Sequence, residues 1–266
     1  MTLDAGFLAR ALEAAQRAAD AAEAITLPRY RARDFAVETK ADATPVTEAD
    51  RHAEAAIKRV LREAFPDHAF YGEEEGREGD GDFLWLIDPI DGTKAFVRGY
   101  PFFSTQIALM RAGEIVVGVS AAGAYGERMW ATRGGGAFLA LCGGEPRRVA
   151  VSRATAFDAS TAISTGNLKT LASGPRWNAL ADLVRRSGRI RGYGDFLHYH
   201  LLARGAIDLA VESDLNILDI APLVLIVREA GGVFTDLDGR DVGLDTRSAL
   251  AGPPALHAAA LRAFNP

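Results

Sequence analysis

The sequence predicts an α+β fold in which layers of helix and sheet stack on one another and the sheets pair in antiparallel or mixed fashion. Three observations lead there. Strand-length apolar segments are mixed irregularly with helical ones instead of alternating strictly with them. Two pairs of strands are joined by turns too short for a crossover, at Ala112-Gly113 and at Gly134-Gly135-Gly136, so they must be hairpins. The chain has 266 residues, 48% of them hydrophobic, enough for one large core or two closely packed halves. A doubly wound parallel sheet does not fit the hairpins.

The elements follow in order. Residues 3 to 27 carry Phe7, Leu8, Leu12, Ala15, Ala19 and Ala22 at helical spacing, and Pro28 is expected to end that helix. Glu38 to Pro45 reads as a loop. Thr47 opens a second helix with Asp50 in its first turn and Ile57, Val60 and Leu61 toward a core; Pro66 lies beyond its end. Ala69 to Gly72 is a short strand, and Gly76 to Asp82 a charged turn. Phe83-Leu84-Trp85-Leu86-Ile87 is a buried strand. Phe103–Met110, Ile115–Ala121, Arg128–Thr132 and Ala137–Leu141 are the hairpin strands. Cys142 to Pro146 is a turn and divides the chain into halves, 1–145 and 146–266, that form one continuous catalytic unit. The second half reads as strand Thr161–Ser164, helix Trp177–Ser187, strand Arg189–Arg191, helix Asp195–Arg204, strand Ile207–Val211 and helix Ile217–Ala230. That last helix stops at Gly231-Gly232. Val233–Asp236 is expected to pair across Leu237-Asp238-Gly239, and Pro254–Phe264 is a last helix.

Composition removes several function classes. The net charge is −5 and no basic run is interleaved with aromatics, so a nucleic-acid partner is not expected. No apolar run is long enough to span a membrane, and Met1 to Asp4 lacks the pattern of a signal peptide. Cys142 is the one cysteine, which permits no intrachain disulfide and no cysteine-based metal cluster and suits a reducing cytoplasm.

The chemistry concentrates in Asp88-Pro89-Ile90-Asp91-Gly92-Thr93, where the buried strand meets a turn and a helix start. Pro89 removes a backbone donor and stiffens the turn. Gly92 allows close backbone approach. Thr93 is a candidate N-cap, and a helix start suits a phosphate. Carboxylates beside such a start suggest hard divalent cations and a phosphate ester. Taken singly, each acidic residue has a plainer reading. Asp88 and Asp91 form turns, Glu73 belongs to a solvated run with Glu74 and Glu75, and Asp219 answers a helix dipole.

Together the motifs resemble a known family. Val46-Thr47-Glu48-Ala49-Asp50, Gly72-Glu73-Glu74, Asp88 to Thr93, and Leu218-Asp219-Ile220-Ala221-Pro222 with Ala230-Gly231-Gly232 stand in the order and spacing of the inositol monophosphatase superfamily. The likeness covers nearly the whole chain. It implies a layered αβαβα sandwich of the inositol monophosphatase/fructose-1,6-bisphosphatase type. It implies that Glu73, Asp88, Asp91, Asp219 and the Ile90 carbonyl hold up to three Mg²⁺ ions, a hard cation that suits all-oxygen ligation. By the same resemblance, Asp50 and Thr93 orient the attacking water, and the Gly92 and Thr93 N–H groups hold the phosphate. Lithium inhibition and a homodimer are also implied. One departure is Leu218, where many members have tryptophan.

The second half carries candidate specificity elements. Arg191-Gly192-Tyr193-Gly194-Asp195 followed by Tyr199, and Glu212-Ser213-Asp214-Leu215, resemble the histidinol-phosphatase branch, as does Thr93 to Phe102. Histidinol phosphate offers an ammonium and an imidazole, which Glu212 and Asp195 could pair with; Asp91, Asp219 and Arg191 are further candidate contacts. Asp195 also reads as a helix N-cap, and Arg191 as half of an internal ion pair. His198 and His200 read as packing or surface residues, since their spacing puts them on different helix faces. An inositol-1-monophosphatase of broad range, and a metal- or phosphate-binding scaffold without activity, remain open beside a histidinol phosphatase. The partner expected in every enzymatic case is a small phosphorylated metabolite.

Overall fold

The computed structural model describes residues 3–39 and 45–266. Of the expected loop at Glu38 to Pro45, residues 40–44 lie outside the described residues, and Glu38, Thr39 and Pro45 belong to strands instead. Flanking that stretch, β1 (Val37–Thr39) and β2 (Pro45–Thr47) pair antiparallel.

Helix α1 (Ala5–Ala32) precedes that pair and α2 (Glu48–Ala64) follows it. Next come β3 (Ala69–Gly72), β4 (Gly76–Glu78), β5 (Phe83–Asp91) and the short α3 (Thr93–Arg98). A meander of β6 (Ser104–Arg111), β7 (Glu114–Ala122), β8 (Glu127–Thr132) and β9 (Gly136–Leu141) continues into β10 (Arg147–Val149). These strands make an eight-stranded sheet in the order β10-β9-β8-β7-β6-β5-β3-β4, antiparallel except at β3/β5. The rest comprises β11 (Ala162–Thr165), α4 (Lys169–Ser173), α5 (Trp177–Arg186), β12 (Arg189–Arg191), α6 (Asp195–Ala203), β13 (Leu209–Ser213), α7 (Ile217–Glu229), β14 (Val233–Thr235), β15 (Ser248–Gly252) and α8 (Pro254–Phe264). Its five-stranded mixed sheet runs β12-β11-β13-β15-β14.

The layers follow from strand alternation. On β5, Trp85 and Ile87 face α1 and α2, meeting Phe7, Ala11, Ile57 and Leu61. Leu84 and Leu86 face the other way, onto α7. On β13, Ala210 joins that middle layer, while Leu209 and Val211 meet Leu180, Leu183, Leu256 and Phe264 of α5 and α8. The result is the expected five-layer αβαβα sandwich. Every residue of β5 is buried because helices cover both faces. Helix α7 lies between the two sheets, with Ile217, Leu218 and every residue from Ile220 to Val227 buried, which explains why it is apolar all round.

Three more expectations are corrected. Pro28 does not end the first helix, which runs to Ala32. Pro28 forfeits one backbone bond, but Tyr30 in the next turn packs on Phe103 (4.9 Å) and Phe96 (5.8 Å) and donates to the Gly99 carbonyl (3.0 Å). Part of the segment taken as a charged turn is β4, an outer strand on β3; its charges suit an exposed edge. Val233–Asp236 makes no hairpin across Leu237-Asp238-Gly239. The turn is there, with Gly239 N–H donating to Asp236 O (3.2 Å), but β14 pairs with β15, nine residues past that glycine.

Because α7 forms one core with both sheets, the two halves should unfold together. Single-tryptophan variants that retain Trp85 or Trp177 should report one shared urea midpoint. Ile226→Ala in α7 should lower both readings equally, by about 2–5 kcal/mol. Separate midpoints would show that the halves fold as independent units.

Candidate active site

The end of β5 is broken on purpose. Residues three apart in a regular strand point to opposite faces. Here the register to β6 slips between Asp88 and Asp91, across Pro89, which has no N–H to offer the ladder. Thr105 Oγ1 donates to the Pro89 carbonyl (2.9 Å) and fixes the distortion. Both carboxylates therefore reach the same side. Gly92 turns the chain with φ 85°, and a Cβ there would stand 2.7 Å from the Phe102 carbonyl oxygen. Gly92, not Thr93, is the cap of α3. The Thr93 side chain is turned inward: its hydroxyl donates to the Ile90 carbonyl (2.9 Å) and lies 3.4 Å from Asp50 Oδ1.

Two helix starts bring further carboxylates, by one device. In α2 the Thr47 side chain accepts from Ala49 N–H (3.1 Å), and Asp50 Oδ2 accepts from the Thr47 N–H (2.8 Å) and hydroxyl (2.6 Å). In α7 Asn216 accepts from Leu218 N–H (2.7 Å), and Asp219 accepts from the Asn216 N–H and side-chain amide (2.8 Å each). Each is a capping box with aspartate in the third helical position. Asp88, Asp91 and Asp219 each present an oxygen within 4.8 Å of the others. Glu73, in the turn after β3, lies beside Asp88 and raises its proton affinity.

The cleft of about 430 Å³ beside this cluster is lined by Asp91, Asp219, Lys94, Asp195, Tyr199 and Glu212, among others. Glu212 accepts from the Tyr199 hydroxyl (3.0 Å). His198 Nε2 lies 3.1 Å from Glu212 but out of hydrogen-bonding alignment. Arg191 is not brought in. It is exposed, and its guanidinium donates to the Ile190 carbonyl (2.7 Å). His198 and His200 are both fully buried; His200 bridges Glu127 (3.2 Å) and Ser120 (2.9 Å) of the large sheet. Sequence reasoning missed Ser104 and Gln106, which hold Asp91 Oδ2 at 3.2 and 3.4 Å. They are cross-strand neighbours of Asp91 and Asp88, so no local signal marks them. The box Asn216-x-x-Asp219, by contrast, was readable.

Crowded carboxylates raise one another's proton affinity. Burial, then Glu73, Asp91 and Asp219, push Asp88 well above the usual range. Burial, then Asp195 and Asp219, do the same to Asp91. Burial pushes Asp219 up to about 7 against the pull of the Asn216 N–H, with Glu73, Glu212 and Asp195 adding to it. Asp195 lines the cleft and is open to solvent, though the surrounding protein displaces part of the water around its carboxyl. That desolvation and Glu212 push it up to about 6. Asp50 is also raised, mainly by burial. Three carboxylates whose oxygens converge, with Glu73 beside them, are an all-oxygen donor set of the kind a hard cation takes. The clustered oxygens of Asp88, Asp91 and Asp219 have the chemistry that a hard cation such as Mg²⁺ takes.

Comparison with known proteins gives the family. The profile of the inositol monophosphatase family matches residues 8–266. A histidinol-phosphatase of Streptomyces coelicolor is 45% identical over 244 residues, 90% of this chain and 91% of that protein. An inositol-1-monophosphatase of Mesorhizobium japonicum is 36% identical over 248 residues, 88% and 90% of the two chains. The crystal structure of extragenic suppressor protein suhB from Bartonella henselae superposes with a TM-score of 0.84 at 31% identity, covering 98% of this chain and 99% of that one. Fold and site define a phosphoric monoester hydrolase. The chain belongs to the inositol monophosphatase family. Among the described residues no helix is long and apolar enough to cross a membrane.

The raised carboxylates give a pH signature. Asp219 moves from 3.8 to about 7, so the stability it contributes to the metal-free protein is full below its unfolded value and is lost as pH rises through its folded one. A cation needs the ionised forms and must displace these protons. The rise in Tm on adding Mg²⁺ should therefore be small near about pH 5 and grow through about pH 8. A rise independent of pH would show that other groups bind the cation.

Proposed function

We propose that the protein is a Mg²⁺-dependent phosphomonoesterase that hydrolyses L-histidinol phosphate to L-histidinol by direct attack of water. One observation carries the reading. A single cleft joins a cation-binding carboxylate cluster, Asp91 and Asp219 with Asp88 beside them, to a second acidic wall made of Glu212 and Asp195. The first suits the phosphate end of a substrate through its metal, the second a cationic end. Histidinol phosphate has both ends. The 45% identity to a protein named histidinol-phosphatase supports the same substrate.

Glu73, Asp88, Asp91, Asp219 and the Ile90 carbonyl would hold up to three Mg²⁺ ions. Bound there, the cation supplies positive charge to the phosphate and makes water more acidic. The remaining work falls to the chain. The Thr93 hydroxyl has one proton and two acceptors in reach, Ile90 O and Asp50 Oδ1. When the Ile90 carbonyl is otherwise engaged, the proton goes to Asp50, and the Thr93 oxygen is turned to accept from the attacking water. The Thr47 bonds on Asp50 Oδ2 keep Oδ1 aimed at Thr93. Backbone N–H groups of Gly92 and Thr93 would bind the phosphate. Glu212, held by Tyr199, and Asp195 would receive the ammonium and imidazole; Asp91 and Asp219 would also border the substrate. Cytoplasmic placement, a homodimer and lithium inhibition belong to the same proposal.

A second reading, an inositol-1-monophosphatase of broad range, rests on the relative of that name and on the ability of Glu212 to accept from hydroxyls as well.

Phosphate release from a panel of esters separates the two. Histidinol phosphate should be the best substrate with Mg²⁺, and EDTA should abolish turnover. Faster turnover of myo-inositol 1-phosphate would reverse the substrate assignment and leave the class intact. Asp91→Asn should cost at least about a hundredfold in kcat, in line with loss of a charge that stabilises the transition state. Unchanged activity would favour a binding scaffold whose chemistry lies elsewhere. Glu212→Gln should raise KM for histidinol phosphate about tenfold, as expected when a buried charge pair loses about 1.4 kcal/mol; equal KM values would remove Glu212 from the substrate site.

A further inference from the structure

We propose that Glu54 and Lys58, a buried ion pair on α2, are positioning residues that set the Glu73 carboxylate toward the cation site. The proposal rests on Glu73 being a cation ligand, as argued above.

Asp50, Glu54 and Lys58 are spaced four apart and so share one face of α2. Asp50 stands at the site. One turn on, Glu54 is fully buried, and its two oxygens accept from consecutive backbone donors, Glu74 N–H (2.7 Å) and Glu75 N–H (3.1 Å). The preceding donor, Glu73 N–H, bonds to the Ile87 carbonyl of β5 (3.2 Å). Three successive peptides are thus tied, the first to the strand that carries Asp88 and the next two to the helix that carries Asp50. The Cα of Glu73 is fixed between them. The carboxylate of Glu54 also lies against the Cα of Gly72, where a Cβ would stand 2.1 Å from Glu54 Oε1. The glycine before Glu73 is what lets the turn settle on Glu54.

A buried carboxylate next to an acidic site is costly unless it is paired. Lys58 is 3% exposed, and its Nζ lies 2.9 Å from Glu54 Oε1. It also reaches Glu75 (2.8 Å) and Glu78 (2.6 Å), whose hydrogen bonds outweigh its burial and hold it in the charged form. The pair therefore adds no net charge near the site. Lys58 also ties Glu75 and Glu78, on the far side of the turn, to the same nitrogen. From sequence alone Glu54 and Lys58 look like an ordinary solvent-facing pair of an amphipathic helix. Groups that orient a ligand from behind commonly govern metal affinity by about 10–100-fold.

The test is Mn²⁺ binding to the metal-free full-length protein, followed by the electron paramagnetic resonance signal of free Mn²⁺, with Tm recorded alongside. Glu54→Gln keeps the volume but loses one acceptor and the pair with Lys58. It should weaken Mn²⁺ binding about tenfold. Lys58→Gln, which leaves the Glu54 acceptors in place, should act in the same direction and serves if the first variant does not fold. Glu73→Gln is the reference, and the double variant completes the cycle: with Glu73 gone, Glu54→Gln should cost nothing more. Wild-type affinity in Glu54→Gln and Lys58→Gln with weakened affinity in Glu73→Gln would overturn the proposal alone. So would full additivity in the double variant, which marks a general structural role. Wild-type affinity in Glu73→Gln would overturn the ligand assignment beneath it.

Discussion

Mutual repulsion among buried carboxylates is the constraint to which the architecture answers. Asp88, Asp91 and Asp219 offer oxygens within 4.8 Å of one another, in surroundings that strengthen every charge interaction. Left alone they would rotate apart or protonate. Each is therefore held by groups that donate to it. Asp88 takes the Ile90 N–H (3.0 Å), Asp91 takes Ser104 and Gln106, and Asp219 takes both donors of Asn216. Such crowding costs stability, and any cation bound there would offset the cost, because binding free energy adds to the folded state. The three carboxylates are thus held together without a cation.

The layering serves this arrangement. Ligands on a single sheet edge would share one strand direction. Here the broken end of β5, the turn after β3 and the N-termini of α2 and α7 converge from three layers. Helix α7 is the link. Its first turn carries Asp219 into the cleft, and its remaining turns are locked between two sheets. Glu212, at the end of β13 in the second sheet, faces the same cleft. The seam between the halves is thus where the phosphate end and the remainder of a substrate would meet, in keeping with the preference of ligand sites for boundaries between packed units.

Strand and helix identities were legible wherever local pattern was strong. The hairpins at Ala112-Gly113 and Gly134 to Gly136, the capped start of α2 at Thr47 and the all-apolar α7 followed from spacing and turn chemistry. What misled was local punctuation that tertiary contacts overrode. Pro28 signals a stop, yet Tyr30 beyond it gains a core contact and a hydrogen bond. Asp236 to Gly239 forms its turn, yet the strand partner is β15, chosen by sheet packing. Thr93 has the chemistry of an N-cap, but Gly92 takes that place because only glycine fits its backbone angle and the approach of the Phe102 carbonyl.

At the site the division is similar. The motifs around Asp50, Asp88 and Asp219 are short, and each ties a carboxylate to its own turn or cap through a donor two or three residues away. That is chemistry the sequence by itself determines. Tertiary structure alone decided that Arg191 stays outside, that Ser104 and Gln106 support Asp91, and that Glu54 with Lys58 lies beneath the Glu73 turn. These are contacts between segments that are distant along the chain or paired across strands. No periodicity records them, because they exist only once the sheets and helices have packed.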